Sequence, residues 1–260
     1  MKKLAIIGCG CIGEYHLEHF VKFEDIELAA FCDLIPERAE RFVQLAGKGR
    51  AYTCFKTMYD EVQPDMVFIC IPPYCHGEVE METIRRGIHF FVEKPVALDM
   101  ELAESIRAAA EARNLITAVG FQCRYDDINE AALEFVKGQD IVVVDGSRVG
   151  GIPDAPWWRI KAQSGGQLVE QTIHQVDVLR YLLGEVESVY SVASRGHIGQ
   201  SECPGYDTDD LSMTLIRFQS GVTCHLMTGC YSTNGASWDS KMTFGSRGAR
   251  MDYRLCRDVT

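Results

Sequence analysis

The stretch Leu4-Ala5-Ile6-Ile7-Gly8-Cys9-Gly10-Cys11-Ile12-Gly13 restricts the fold more than any other part of the chain. A short apolar run that ends in G-x-G-x-x-G reads as a strand turning sharply into a helix, because glycines let the backbone bend there and approach a pyrophosphate. The amides of Gly10, Cys11, Ile12 and Gly13 then open a helix whose dipole faces the anion. Asp33 stands 20 residues beyond Gly13, at the end of the next apolar run, Ile26 to Cys32. Its carboxylate can accept both ribose hydroxyls of an adenosine and repels a 2′-phosphate. Order and spacing together predict a dinucleotide site for NAD. Nearby Arg38 keeps NADP open, since it reaches a phosphate if its loop folds back.

The runs Met66 to Ile71, Ile88 to Val92 and Ile116 to Phe121 continue the rhythm of strands alternating with helix-period segments. Pro36 sits in a first helical turn, Ala39, Phe42, Val43 and Ala46 share one face, and Gly47 is the stop. Asp99 is placed to cap a helix with Leu102, Ile106 and Ala109 or Ala110 inward. Residues 1–121 therefore read as a doubly wound α/β Rossmann domain with a parallel sheet. Residues 122–260 read as an α+β domain with an open, mainly antiparallel sheet. In it a helical stretch near 126–137 precedes a strand at 141–149, and a further helix ends at Gly184. Leu211, Met213 and Leu215 alternate with Ser212 and Thr214 ahead of a Gln219-Ser220-Gly221 turn. Residues 249–255 read as a strand, and a closing strand or helix is expected beyond Thr260.

Composition narrows the function. With 26 Lys and Arg against 37 Asp and Glu, the formal charge is −11, which disfavours nucleic acid and anionic membrane surfaces as partners. No run approaches the roughly 20 apolar residues of a membrane helix. The apolar stretch before Cys9 is shorter than the roughly 7 to 15 residues of an export signal. The 11 cysteines are scattered without a C-x-x-C pair, so reduced thiols in the cytoplasm are expected.

Chemistry-bearing residues stand at the ends of the later strands, where open α/β sheets bind their ligands. After Met66–Ile71 comes Ile71-Pro72-Pro73-Tyr74-Cys75-His76, and after Ile88–Val92 comes Glu93-Lys94-Pro95. Ile71, Pro72, His76, Glu93 and Lys94 would border the cofactor. His76 could equally be a helix-start residue, and Glu93-Lys94 an exposed charged turn. An ammonium at Lys94 can hold a substrate oxygen and stabilise charge developing on it. In the later helix, Glu170, His174 and Asp177 follow at i, i+4 and i+7 and project together, against the alternative of a solvated face. A histidine between carboxylates suits a general base near neutral pH. The set contains no closed zinc pattern, so no metal is expected. Trp158, within Trp157-Trp158-Arg159, and Arg124 are further candidates for the substrate, through ring packing and oxygen contacts.

Gly8-x-Gly10-x-x-Gly13, Asp33, Pro72-Pro73-x-x-His76, Glu93-Lys94-Pro95 and Gly165-Gly166 before Glu170-x-x-x-His174-x-x-Asp177 together resemble the glucose-fructose oxidoreductase, inositol dehydrogenase and MocA family. The resemblance spans essentially the whole chain. It implies a nicotinamide-dependent enzyme acting on sugars, cyclitols or related polyhydroxy compounds. It also implies an open C-terminal sheet that makes dimers or tetramers. By the same resemblance Lys94 matches the lysine that binds the reacting hydroxyl and His174 the catalytic acid/base. Glu170 stands where the family more often has aspartate, and Thr172 where a glycine is common; family members usually continue for several dozen residues more. The competing class is a dinucleotide-binding sensor without chemistry, which has no need of a Lys94 and His174 pair.

Overall fold

The computed structural model describes residues 1–232 and 237–260. It divides into two compact units, Met1–Gly120 and Phe121–Thr260. In the first, strands and helices alternate as β1 (Lys2–Ile7), α1 (Cys11–Phe20), β2 (Ile26–Cys32), α2 (Pro36–Ala46), β3 (Arg50–Tyr52) and α3 (Phe55–Val62). They continue as β4 (Met66–Ile69), α4 (Glu78–Arg85), β5 (His89–Val92), α5 (Met100–Ala112) and β6 (Thr117–Val119).

The six strands pair in parallel in the order β3-β2-β1-β4-β5-β6. The order reverses beside β1, so a crevice opens beyond the carboxyl ends of β1 and β4. Successive residues of β1 go to opposite faces, and both faces are buried. Leu4 and Ile6 pack with Leu17, Ala39 and Phe42 from α1 and α2. Ala5 and Ile7 pack with Met58, Ile84 and Ile106 from α3, α4 and α5. Each large side chain fully buried this way is worth roughly 1.5–3 kcal/mol. The strand β3, a short edge, is absent from the sequence expectations, and β4 and β6 stop earlier than their apolar runs.

The second unit runs α6 (Ile128–Gly138), β7 (Ile141–Gly150), α7 (Lys161–Ser164), α8 (Gln167–Glu170), α9 (Ile173–Leu183) and β8 (Val186–Ser194). It ends with β9 (Leu211–Phe218), β10 (Thr223–Gly229), β11 (Ser237–Ser246), β12 (Arg250–Arg254) and β13 (Asp258–Val259). The sheet order is β13-β12-β11-β7-β10-β9-β8, antiparallel except where β10 pairs with β7. One face is covered by α6 and α9, with Ala132, Val178, Leu179, Leu182 and Leu183 packed on Val144, Ile216, Phe218, Leu226 and Phe244.

One expectation changes, and one alternation acquires its inward side. The single helix through Glu170 and Asp177 is two, because the Thr172 N–H donates to Gln167 O rather than to the carbonyl four residues back. Thr172 is buried there against the hydroxyl of Thr228, at 3.2 Å. The i to i+4 relation from Glu170 to His174 therefore does not apply across the break, whereas His174 and Asp177 share α9. In β9 the alternation turns out polar inward: Ser212 and Thr214 are buried, and Met213 and Leu215 are exposed.

Candidate functional site

In the first unit, the turn after β1 uses its glycines in three ways. Gly8 adopts φ +92°, its N–H donates to Cys32 O at 2.8 Å, and any Cβ there would collide with Cys70 O. A Cβ at Gly13 would strike Gly8 O, so that glycine lets α1 pack against the turn. Gly10 faces open space, with nothing within 4 Å of a Cβ position, and it is the N-cap of α1 with no side chain capping the helix. Cys11 and Ile12 are exposed in the first turn beside it. Uncapped amides around an open glycine fit a pyrophosphate. Ile71 lies against Gly8 on the neighbouring crest.

Asp33 is half-buried, and its Oδ2 and Oδ1 accept from the amides of Cys9 at 2.8 Å and Ile35 at 2.9 Å. These bonds fix the carboxylate at the crevice and leave each oxygen a lone pair for a ribose hydroxyl. Arg38 is exposed in the first turn of α2. Cys9 is packing rather than chemistry, since burial and then the Asp33 charge push its thiol far above the ordinary cysteine range.

His76 follows the short turn Pro73–Cys75 and is buried, with Nδ1 2.7 Å from Glu80 Oε1. Glu80 Oε2 accepts from Gly77 N at 2.6 Å, closing the start of α4. With Nδ1–H given to this carboxylate, the buried Nε2 is an acceptor, and among the described residues no protein group meets it. Glu93 is buried rather than part of an exposed turn: its Oε1 is 2.8 Å from His16 Nε2, and its Oε2 accepts from Lys94 N at 3.2 Å. Gly120 leaves the room this carboxylate needs. The ring of His16 lies among Phe20, Phe68 and Phe91. Half-buried Lys94 precedes a cis peptide to Pro95.

In the second unit Glu170, His174 and Asp177 are all buried, so the helix face is not solvated. Glu170 Oε2 accepts from the indole Nε1 of Trp158 at 2.9 Å and from Gln171 Nε2 at 2.5 Å. Arg148 in turn donates to Gln171 Oε1 at 2.8 Å. Trp158 is 1% exposed, and what it does here is hold Glu170. Asp177 takes a two-pronged grip from Arg124, through Nε at 3.0 Å and an Nη at 2.5 Å. That guanidinium also lies 4.9 Å over the Tyr181 ring, and the pairing with Asp177 raises its pKa further. Both carboxylates beside His174 in sequence are thus fixed in position by donors.

His16, Glu80, Arg148 and Gln171 are positioning groups that sequence reasoning missed. The only signal for His16 is its place on the inward side of α1, between Gly13 and Phe20. Glu80 could have been found from its i, i+4 spacing to His76 and its N3 place after Gly77, whereas Arg148 and Gln171 act on partners that periodicity does not connect.

Residues 2–121 match the model of an oxidoreductase family with an NAD-binding Rossmann fold, and residues 140–249 match the GFO/IDH/MocA C-terminal domain. A myo-inositol 2-dehydrogenase of Thermotoga maritima is 27% identical over 252 residues, covering 95% of this chain and 73% of the relative. A scyllo-inositol 2-dehydrogenase (NAD(+)) of Bacillus subtilis is 28% identical over 226 residues, covering 85% and 65%. Among solved structures, a myo-inositol 2-dehydrogenase from Lactobacillus plantarum superposes with a TM-score of 0.86 at 25% identity, covering 96% of this chain and 76% of that one.

Proposed function

Because the chain belongs to the GFO/IDH/MocA oxidoreductase family, with its NAD-binding Rossmann domain, we propose that it is an NAD-dependent dehydrogenase of secondary alcohols in cyclitols, sugars or related polyhydroxy compounds. In the reverse direction it would reduce the ketone. Residues 1–121 would hold the dinucleotide and residues 122–260 the substrate. The inositol dehydrogenases among its relatives support this substrate class.

The observation that carries the reading is the buried His174 with Glu170 and Asp177 locked by separate donors. A dinucleotide sensor has no use for such a set. His174 takes the proton of the reacting hydroxyl, and the Lys94 ammonium stabilises the oxygen as its charge develops. Asp177, held by Arg124, and Glu170, held by Trp158, flank this histidine in sequence and are fixed in place by their donors. The Gly8, Gly10 and Gly13 turn and Asp33 hold the dinucleotide, with Ile71, Pro72, His76 and Glu93 along the same crevice. Bound NAD supplies the hydride acceptor.

The open face of the second sheet supports a homo-oligomer, and the free thiols support a reducing, cytoplasmic setting. Among the described residues no helix is long and apolar enough to cross a membrane.

The test is reduction of NAD by a panel of cyclitols, aldoses and sugar acids, followed by Lys94→Ala and His174→Ala. Each variant is expected to lose at least about 100-fold in turnover while NAD affinity barely moves. Near-normal turnover in either would reject its role, and no reduction with any polyol would reject the substrate class.

A further inference from the structure

Cys123 and Cys256 are 133 positions apart in sequence, yet their sulphurs stand 2.7 Å apart. The approach is specified by the surrounding structure. Asn129 donates through Nδ2 to Cys123 O at 2.7 Å, and its Oδ1 accepts from the Tyr253 hydroxyl at 2.9 Å. One buried amide thus ties the turn bearing Cys123 to the strand that leads into Cys256. Cys256 itself sits at φ +54°, in the turn between β12 and β13, where glycine or asparagine is the usual choice.

From this geometry we infer that Cys123 and Cys256 are a reversible disulfide site, acting as resolving and attacking thiol. Cys256 is exposed and Cys123 buried, which gives an incoming oxidant one sulphur to meet first. The contact with Cys123 lowers the Cys256 thiol below the ordinary cysteine range, and Arg148 acts in the same sense. Burial pushes Cys32 and Cys224 up to about 12, which leaves them inert by comparison.

The oxidant is a low-molecular-weight disulfide. The Cys256 thiolate attacks one of its sulphurs, forming a mixed disulfide and releasing one small thiolate. Cys123 gives its proton to that thiolate and attacks the Cys256 sulphur, expelling the second small thiolate, which takes a proton from water. The protein loses two thiol hydrogens, and one small disulfide becomes two small thiols. The link would tie the turn bearing Arg124, the partner of Asp177, to the β12–β13 turn.

The test treats the full chain with oxidised glutathione, blocks the remaining thiols and maps peptides by mass. The expected result is a Cys123–Cys256 linked peptide and a Tm raised by a few degrees, both reversed by dithiothreitol. Exposed Cys54, whose thiol is also lowered, by backbone amide donors, should carry glutathione instead of an internal link. Cys256→Ser should abolish the linked peptide and the Tm rise, and Cys123→Ser should leave glutathione on Cys256. Should Cys123→Ser fail to fold, Cys256→Ser decides alone. A wild-type chain that ends with glutathione on Cys256 and Cys123 free would overturn the inference, as would a Tm rise that survives in Cys256→Ser. Two unmodified thiols after oxidation would do the same.

Discussion

Asp33 accepts from the amides of Cys9 and Ile35, which fixes the glycine turn, and its remaining lone pairs are the ones we propose for a ribose. Asp33→Asn keeps the size but removes the charge and half of the accepting capacity. NAD affinity should fall about 10- to 100-fold, or about 1.4–2.8 kcal/mol, by titration calorimetry. NADP should lose less, because the repulsion of its 2′-phosphate goes too; equal losses for both would confine Asp33 to shaping the turn. Trp158 works differently, since its indole N–H meets the buried Glu170 carboxylate. Trp158→Phe keeps most of the packing but leaves that oxygen short of a donor, at a cost of about 1–3 kcal/mol in denaturant unfolding. A variant as stable as the parent chain would show that the bond contributes nothing.

Helices α2 and α5 were legible because their signals are local. Gly47 takes φ +65° just past α2, and Asp99 Oδ1 accepts from Leu102 N at 2.8 Å at the start of α5. Gly47→Ala should cost about 1–2 kcal/mol through its left-handed backbone, and Asp99→Ala about 1 kcal/mol through the lost cap. Both are measurable as shifts in urea midpoint without change of slope. The dinucleotide turn was legible for the same reason, as strand, glycines and acid follow one another in the chain. The break between α8 and α9 was not, because the apolar period runs through it unchanged. It is set by Thr228 and by Gln175, whose amide reaches Ser147 O and Lys241 O on the sheet. The outward face of β9 was equally hidden, since a period of two is the same whichever side is buried. His16 escaped notice because its partner Glu93 lies 77 residues away.

At the scale of the molecule, the exposed sheet face is the feature that a single chain does not explain. Tyr190 pairs with Leu215, and Val192 with Met213, in the β8–β9 register, at exposures of 69%, 50%, 56% and 48%. The next strand extends the rows, with His225 opposite Leu215 and Met227 opposite Met213. A largely apolar exposed surface of this kind is what a contact between copies would use, and we propose that role for it. A net charge of −11 makes two copies repel at long range, so association has to come from short-range burial and should strengthen as salt screens the repulsion. Tyr190→Lys with Leu215→Lys puts like charges directly across the strands within this apolar patch, at the β8 edge of the sheet. Sedimentation velocity should show the oligomer dissociating at concentrations at least about 100-fold higher than the parent chain needs, with helix and sheet content unchanged. The substitutions make the chain less negative, so weaker assembly cannot come from added overall repulsion and has to arise at this face, from the lost apolar contact and the lysines placed in it. An assembly that tolerates both lysines would place the interface elsewhere.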